Sequence, residues 1–265
     1  MELKFATIAS SSKGNCIYIG SENTNILIDA GLSGKKIECG LAELELKGSD
    51  IDAIFVTHEH MDHVAGVGVM SRRYNIPVYA TEGTWSGMPL GVGRFKRNMD
   101  RLIYANEICS FNDLCIKPFN IPHDARQPVG YSVWDGKNKI TIATDIGHIT
   151  DTIVDNIADS SLILLESNHD VQMLRSGAYP ISLKQRILGD YGHLSNENAG
   201  KFLSRLSYDR LKYVFLGHLS QDNNTPKIAY DTVSDILTDT GAELGGDFDM
   251  WVAPPYGVKR RIVLQ

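Results

Sequence analysis

Paired cysteines, long apolar runs and a surplus of positive charge are all missing from this chain. Its four cysteines, Cys16, Cys39, Cys109 and Cys115, form no CxxC pair. A chain of 265 residues can build its core without cross-links, so a reducing cytoplasm is the expected compartment. Leu162-Ile163-Leu164-Leu165 is among the longest uninterrupted apolar runs, whereas a membrane-crossing helix needs about 20 residues. No membrane span is expected. Met1-Glu2-Leu3-Lys4 lacks a basic stretch leading into an apolar core, so no signal peptide is expected either. The formal net charge of −6 argues against a general nucleic-acid-coating surface, because phosphate contacts need a basic face. A nuclease is still allowed, since bound divalent ions bring positive charge to the site itself. Arg94-Phe95-Lys96-Arg97, followed by Arg101, is a local basic concentration opposed only by Asp100. Such a run is more often a solvated face than a substrate guide.

What is present reads as an ordinary α/β chain, 43% hydrophobic and 22% charged. Strand-like runs at Leu3–Ala9, Cys16–Gly20 and Asn25–Ala30 are separated by turn-rich "SSSKGN" and "SENT", a meander signature. A helix is expected over Lys35–Leu46, a strand over Ile51–Thr57, and a helix over Val64–Tyr74 that Gly66 and Gly68 weaken. Further strands are expected at Leu114–Phe119, Val129–Trp134 and Lys139–Ala143, the last half buried by its alternation. A βα character then returns. Leu162–Leu165 and Tyr213–Leu216 read as buried strands, Asn196–Leu206 as a helix, and Thr225-Pro226 as the cap and first turn of another. Trp251-Val252 and Ile262-Val263-Leu264 would close a second sheet. Residues 1–265 are expected to make one domain: a four-layer αββα sandwich of two mixed β-sheets flanked by helices.

The chemistry concentrates in "IFVTHEHMDHVAG", Ile54 to Gly66. Three of the chain's eight histidines and two acids follow directly on an apolar run. On an extended segment, residues two apart project to one side, so His58 and His60 can share an ion. Asp62 and His63, after the chain turns into a helix, can face a second. Imidazoles with carboxylates suit zinc, manganese or iron. Further donors follow later strand-like runs: His123 in "NIPHDA", Asp145 in "ATDIGH" and His218 in "FLGHLS".

HxHxDH with later His, Asp and His resembles the metallo-β-lactamase superfamily, and so does "ILIDAG" with its Asp29. The resemblance implies the fold given above. It also implies that His58, His60 and His123 bind one ion, that Asp62, His63 and His218 bind the other, and that Asp145 bridges them. Asp29 would orient the metal-binding loop. An aspartate at position 145 disfavours true β-lactamase activity, and His60 fills the slot where flavo-diiron proteins carry glutamate. "SSSKGNC", "IPHDARQPVGYSV", "LLESNHD" and "GHLSNENAG" together resemble the bacterial WalJ/YycJ/VicX family. Its members look like DNA exonucleases, and their genes often neighbour a cell-wall two-component system.

That family implies a two-metal phosphodiesterase on DNA, a 5′-to-3′ exonuclease in expectation. Two ions roughly 3.5–4 Å apart can activate a bridging hydroxide and clamp a phosphate. Asp62 belongs to the catalytic set, His193 is the candidate proton donor, and Glu166 would hold or tune His193. Ser11, Ser12 and Asn15 could contact phosphate, although Lys13-Gly14-Asn15 equally makes a plain hairpin turn. His148 and His169 match no ligand slot. Trp85 and Phe95 could stack on bases, though packing is the commoner fate of such rings. The rival expectations are a hydrolase of a thioester, lactone or cyclic phosphodiester, and a non-catalytic regulatory partner of the two-component pathway.

Overall fold

The computed structural model describes residues 2–265. The chain forms two compact units. The first holds the residues up to Asn120 together with Ala125–Asn138 and Pro254–Gln265, and the second holds Ile121–Asp124 and Lys139–Ala253.

In the first unit, β1 (Leu3–Ser11), β2 (Gly14–Gly20) and β3 (Asn25–Ile28) form the expected meander, all antiparallel. β4 (Ala53–Phe55), β5 (Val78–Ala80) and β6 (Asp100–Leu102) then add in parallel, so this sheet is mixed. The C-terminal strand Ile262–Leu264 pairs with β1 at its other edge. This corrects the expectation that Ile262–Leu264 closes the second sheet. The run is too short to show its partner in its own pattern, and a strand pairs wherever the returning chain meets an open edge. β7 (Cys109–Phe111), β8 (Leu114–Asn120) and β9 (Val129–Trp134) form an antiparallel run in the same unit.

Helix α1 (Gly34–Glu43) starts where the Ser33 hydroxyl accepts the Lys36 N–H, and it buries Ile37 and Leu41 on one face. The expected Val64–Tyr74 helix is divided into α2 (Met61–Val64) and α3 (Val67–Tyr74). Gly66 sits at the break because a Cβ there would lie 2.2 Å from the Leu32 carbonyl oxygen. The core joins Ile8, Leu27, Ile37, Leu41, Ile54, Val67 and Met70, all fully buried. Each such side chain contributes about 1.5–3 kcal/mol relative to exposure. α4 (Glu82–Gly87) is capped by Thr81.

In the second unit, β10 (Lys139–Ala143), β11 (Leu162–Glu166), β12 (Tyr213–Gly217) and β13 (Asp249–Val252) run parallel in sequential order. Crossover segments carry α5 (Asp151–Ile157), α6 (Val171–Ser176), α7 (Ile181–Leu188), α8 (Asn196–Leu203) and α9 (Pro226–Asp239). β10 is not half buried as its alternation suggested. Thr141 is fully buried, and its hydroxyl bonds the Asn156 carbonyl and Ser160, so a polar residue is satisfied inside. α9 begins at the Thr225 cap with Pro226 in its first turn and buries Ala229, Val233 and Leu237. Among the described residues no helix is long and apolar enough to cross a membrane.

Candidate metal centre

Each unit collects its own set of donors at the ends of strands. In the first unit the loop after β4 is tied to Asp29, which follows β3. Asp29 Oδ1 accepts the Thr57 backbone N–H at 2.8 Å, and Oδ2 accepts the Thr57 hydroxyl at 2.8 Å and His63 Nδ1–H at 2.7 Å. Burial raises the Asp29 carboxyl above its ordinary value, and its interactions with His63 and Thr57 offset this only in part. The backbone fits the loop just as closely. Ala30 N–H bonds the His63 carbonyl at 2.9 Å, and a Cβ on Gly31 would lie 1.6 Å from the Asp62 carbonyl oxygen.

These bonds assign the ring tautomers. A carboxylate only accepts, so His63 Nδ1 carries the proton. The Thr57 hydroxyl spends its one hydrogen on Asp29 and therefore accepts from His58 Nδ1 at 3.0 Å. In both rings Nε2 keeps the lone pair that a metal ion needs. The His58 ring centroid is 4.6 Å from that of His60 and 4.1 Å from that of His63, and Asp62 Oδ2 lies 3.5 Å from His63 Nε2.

The second unit repeats this logic around Glu166, the last residue of β11, which is fully buried. Glu166 Oε1 accepts Nδ1–H from His193 and from His218, both at 2.8 Å. Its Oε2 accepts the backbone N–H groups of Ile146 at 2.7 Å and Leu194 at 3.1 Å. Burial pushes this carboxyl up, but the charges and hydrogen bonds of the two histidines outweigh it and hold it at about 2. His218 Nε2 faces Asp145 Oδ1 at 3.5 Å, and His123 Nε2 faces the same oxygen at 3.7 Å. His123 Nδ1 donates to the Gly192 carbonyl at 3.3 Å. Burial lowers the His123 pKa, which keeps the imidazole neutral and able to ligate. Asp145, Glu166, His193 and His218 each offer an atom within 4.8 Å of the others.

Three of these residues have left-handed backbone: Asp29 at φ 61°, Asp145 at φ 58° and His218 at φ 55°. Each sits just past a strand, where an extended residue would send its side chain to a face of the sheet. The turn aims the side chain off the strand end instead, a strained conformation of the kind that clusters at functional sites.

The donor chemistry fits divalent cations. Imidazoles have Nδ1 tied behind them and Nε2 presented forward, beside carboxylates, with no cysteine in either set.

The other sequence candidates, Asn15 apart, fall outside this geometry. Ser11 Oγ accepts the Lys13 N–H at 3.3 Å in the turn between β1 and β2, and Ser12 is exposed at its tip. Asn15 is buried, bonded both ways to the Ser11 backbone, with Nδ2 3.1 Å from His63 Nε2. Trp85 and Phe95 pack edge to face at 5.0 Å against the core of the first unit. Trp85 Nε1 donates to the Arg101 carbonyl, so these rings are occupied by packing. His148 is exposed with Nδ1 donating to the Asp190 carbonyl at 2.8 Å, and His169 is buried. Thr57 and Asn168 were not singled out from sequence. Thr57 links Asp29 to two histidines, and Asn168 Nδ2 donates to the His218 carbonyl at 2.8 Å. Only their places beside "HEH" and after "LLES" could have drawn attention to them.

Comparison with known proteins identifies the family. The metallo-beta-lactamase superfamily model matches residues 12–218. An exodeoxyribonuclease YycJ from Bacillus anthracis is 38% identical over 255 residues, covering 96% of this chain and 97% of that protein. An exodeoxyribonuclease WalJ from Streptococcus pneumoniae serotype 2 is 39% identical over 254 residues, covering 95% and 94%. The crystal structure of the metallo-beta-lactamase fold protein YhfI from Bacillus subtilis matches with a TM-score of 0.73 at 12% identity over 100% of both chains. The fold is therefore the expected one, with two mixed sheets and helices.

Proposed function

The chain belongs to the metallo-beta-lactamase superfamily and to its YycJ/WalJ branch, and from that premise we propose that it is a metal-dependent exonuclease acting on DNA. The observation that carries this reading is its similarity, along nearly its whole length, to proteins named exodeoxyribonucleases. The family model runs across residues of both units, which supports treating 1–265 as one functional domain.

Two divalent ions, zinc, manganese or iron, complete the proposed site. By family resemblance His58, His60 and His123 would hold one ion and Asp62, His63 and His218 the other, and Asp145 would be shared by both. Bound ions of this kind provide a nucleophile from water at neutral pH and neutralise charge on phosphate oxygens. Asp29 and Glu166 hold the ligand rings from behind. His193, the more exposed of the two rings on Glu166, protonates the departing oxygen from Nε2 while Glu166 fixes its Nδ1. Ser12 at the hairpin tip, with Ser11 and Asn15 behind it, is the proposed phosphate contact of the first unit. The proposed polarity is 5′ to 3′ and the proposed compartment the cytoplasm. A link to a two-component system is carried by the branch resemblance alone.

The test is digestion of end-labelled single- and double-stranded DNA by the metal-loaded protein, beside Asp62→Ala. Mononucleotides should leave the 5′ end, and Asp62→Ala should lose most of the rate. Equal, slow release by both proteins with each metal would sink the nuclease reading. Turnover of a thioester or lactone without turnover of DNA would favour the small-molecule hydrolase. His193→Ala should slow turnover about 10²–10⁴-fold with metal content intact, and loss of metal would reassign His193 as a ligand.

A further inference from the structure

We propose that a cavity in the second unit, beside His193, seats the terminal nucleotide of a DNA strand and takes its 5′-phosphate on Lys201 and Arg205. The proposal rests on the exonuclease reading and deepens it. The cavity has a volume of about 350 Å³ and opens between the loop after Asp145, α5 and α8. Ligand sites span roughly 300–1,000 Å³, so this one has room for a single nucleotide and not for a duplex. A hydrolase that removes residues one at a time must hold a chain end, and a one-nucleotide seat whose wall includes Leu194, the residue after His193, can do that.

Its chemistry divides in the way a nucleotide does. Ile149, Leu194 and Phe202 supply apolar wall for a base, while Lys201, Arg205 and His148 supply polar and cationic edge. Lys201 and Phe202 lie in the last turn of α8 and Arg205 stands two residues past its end, and all three line the cavity. Both cations are exposed. Lys201 lies 3.9 Å from Glu197 on the same helix, an exposed pair of little worth that a phosphate can displace. The carboxylates of Asp151 and Asp155 lie on α5, and they disfavour a chain of phosphates running past that wall.

The seat is coupled to the donor set through the backbone. Leu194 follows His193 directly, and its N–H is fixed on Glu166 Oε2. His148 stands three residues after Asp145 and is anchored through Nδ1 to the Asp190 carbonyl, so its Nε2 is the nitrogen left to meet a ligand. The proposal requires a nucleotide held here to present its next phosphodiester toward His193, the residue before Leu194 of the cavity wall.

The experiment compares metal-loaded wild type with Lys201→Ala/Arg205→Ala on oligonucleotides of one sequence ending in 5′-phosphate, 5′-hydroxyl or 3′-phosphate. Wild type should favour the 5′-phosphorylated strand about tenfold or more in kcat/KM, the size expected of a charge-assisted contact. The double variant should lose that preference through a higher KM, with kcat changed only a few-fold and the thermal midpoint unchanged. Lys201→Arg/Arg205→Lys should retain it. A double variant that still prefers 5′-phosphate, or a wild type indifferent to it, overturns the seat and leaves the exonuclease reading standing. A wild type inert on every DNA overturns both.

Discussion

Glu166 Oε1 and His218 Nδ1 stand 2.8 Å apart, and the same oxygen receives Nδ1 of His193 at 2.8 Å. One buried carboxylate thus orients a proposed metal ligand and the proposed proton donor together. Its other oxygen is bonded to two backbone N–H groups, so all its partners are donors.

Glu166→Gln should therefore act on stability, metal content and turnover together. An amide nitrogen at either oxygen position would face a donor, leaving a buried group unsatisfied at a cost of about 1–3 kcal/mol. Urea unfolding should show that loss, and elemental analysis should show weaker metal retention through His218. Because the carboxyl is held at about 2, it stays ionised through the whole working range. The acidic limb of the wild-type pH–rate profile should then lie well above that value. A limb centred near pH 2 would contradict this assignment.

Asp29→Asn should release the metal-binding loop. The carboxylate takes three hydrogen bonds from Thr57 and His63, and an amide cannot accept at both positions. Loss of such a partner behind a ligand histidine lowers metal affinity about 10–100-fold. Chelator competition on the metal-loaded protein measures it, and unchanged affinity would remove Asp29 from its supporting role.

His169 should make folding acid-sensitive. Burial holds its imidazole down at about 4, against roughly 6.5 in an unfolded chain. Between those values the unfolded chain binds a proton that the folded chain does not. Stability attributable to this group is thus present above about 6.5 and falls as pH drops toward about 4, by about 3 kcal/mol in all. No other group of the chain bonds either ring nitrogen, so His169→Leu removes the titration without orphaning a side chain or backbone partner. Denaturant midpoints measured across pH 4–6.5 should flatten by about one proton in the variant. An unchanged slope would show that another group dominates there.

The fold was legible wherever one segment carried its own pattern. β9 and β10 fall on the residues expected, and α9 begins at the Thr225-Pro226 signal. Reading failed where a distant partner decided. Ile262–Leu264 pairs with β1 because that edge is open. Thr141 is buried because Asn156 and Ser160 satisfy its hydroxyl. The helix after the histidines breaks at Gly66 because a neighbouring carbonyl leaves no room for a Cβ.

For the site, the sequence by itself determined the inventory: which donors exist, that they follow strand-like runs, and that their spacing suits divalent ions. Donor type and local spacing are properties of the chain and need no partner. Tertiary structure alone decided how each donor is held. The left-handed turns at Asp29, Asp145 and His218, the Thr57 relay and the doubly engaged Glu166 join residues 27 to 52 positions apart. Hydrogen-bond directions and ring tautomers arise only when the fold brings those groups within about 3 Å of one another.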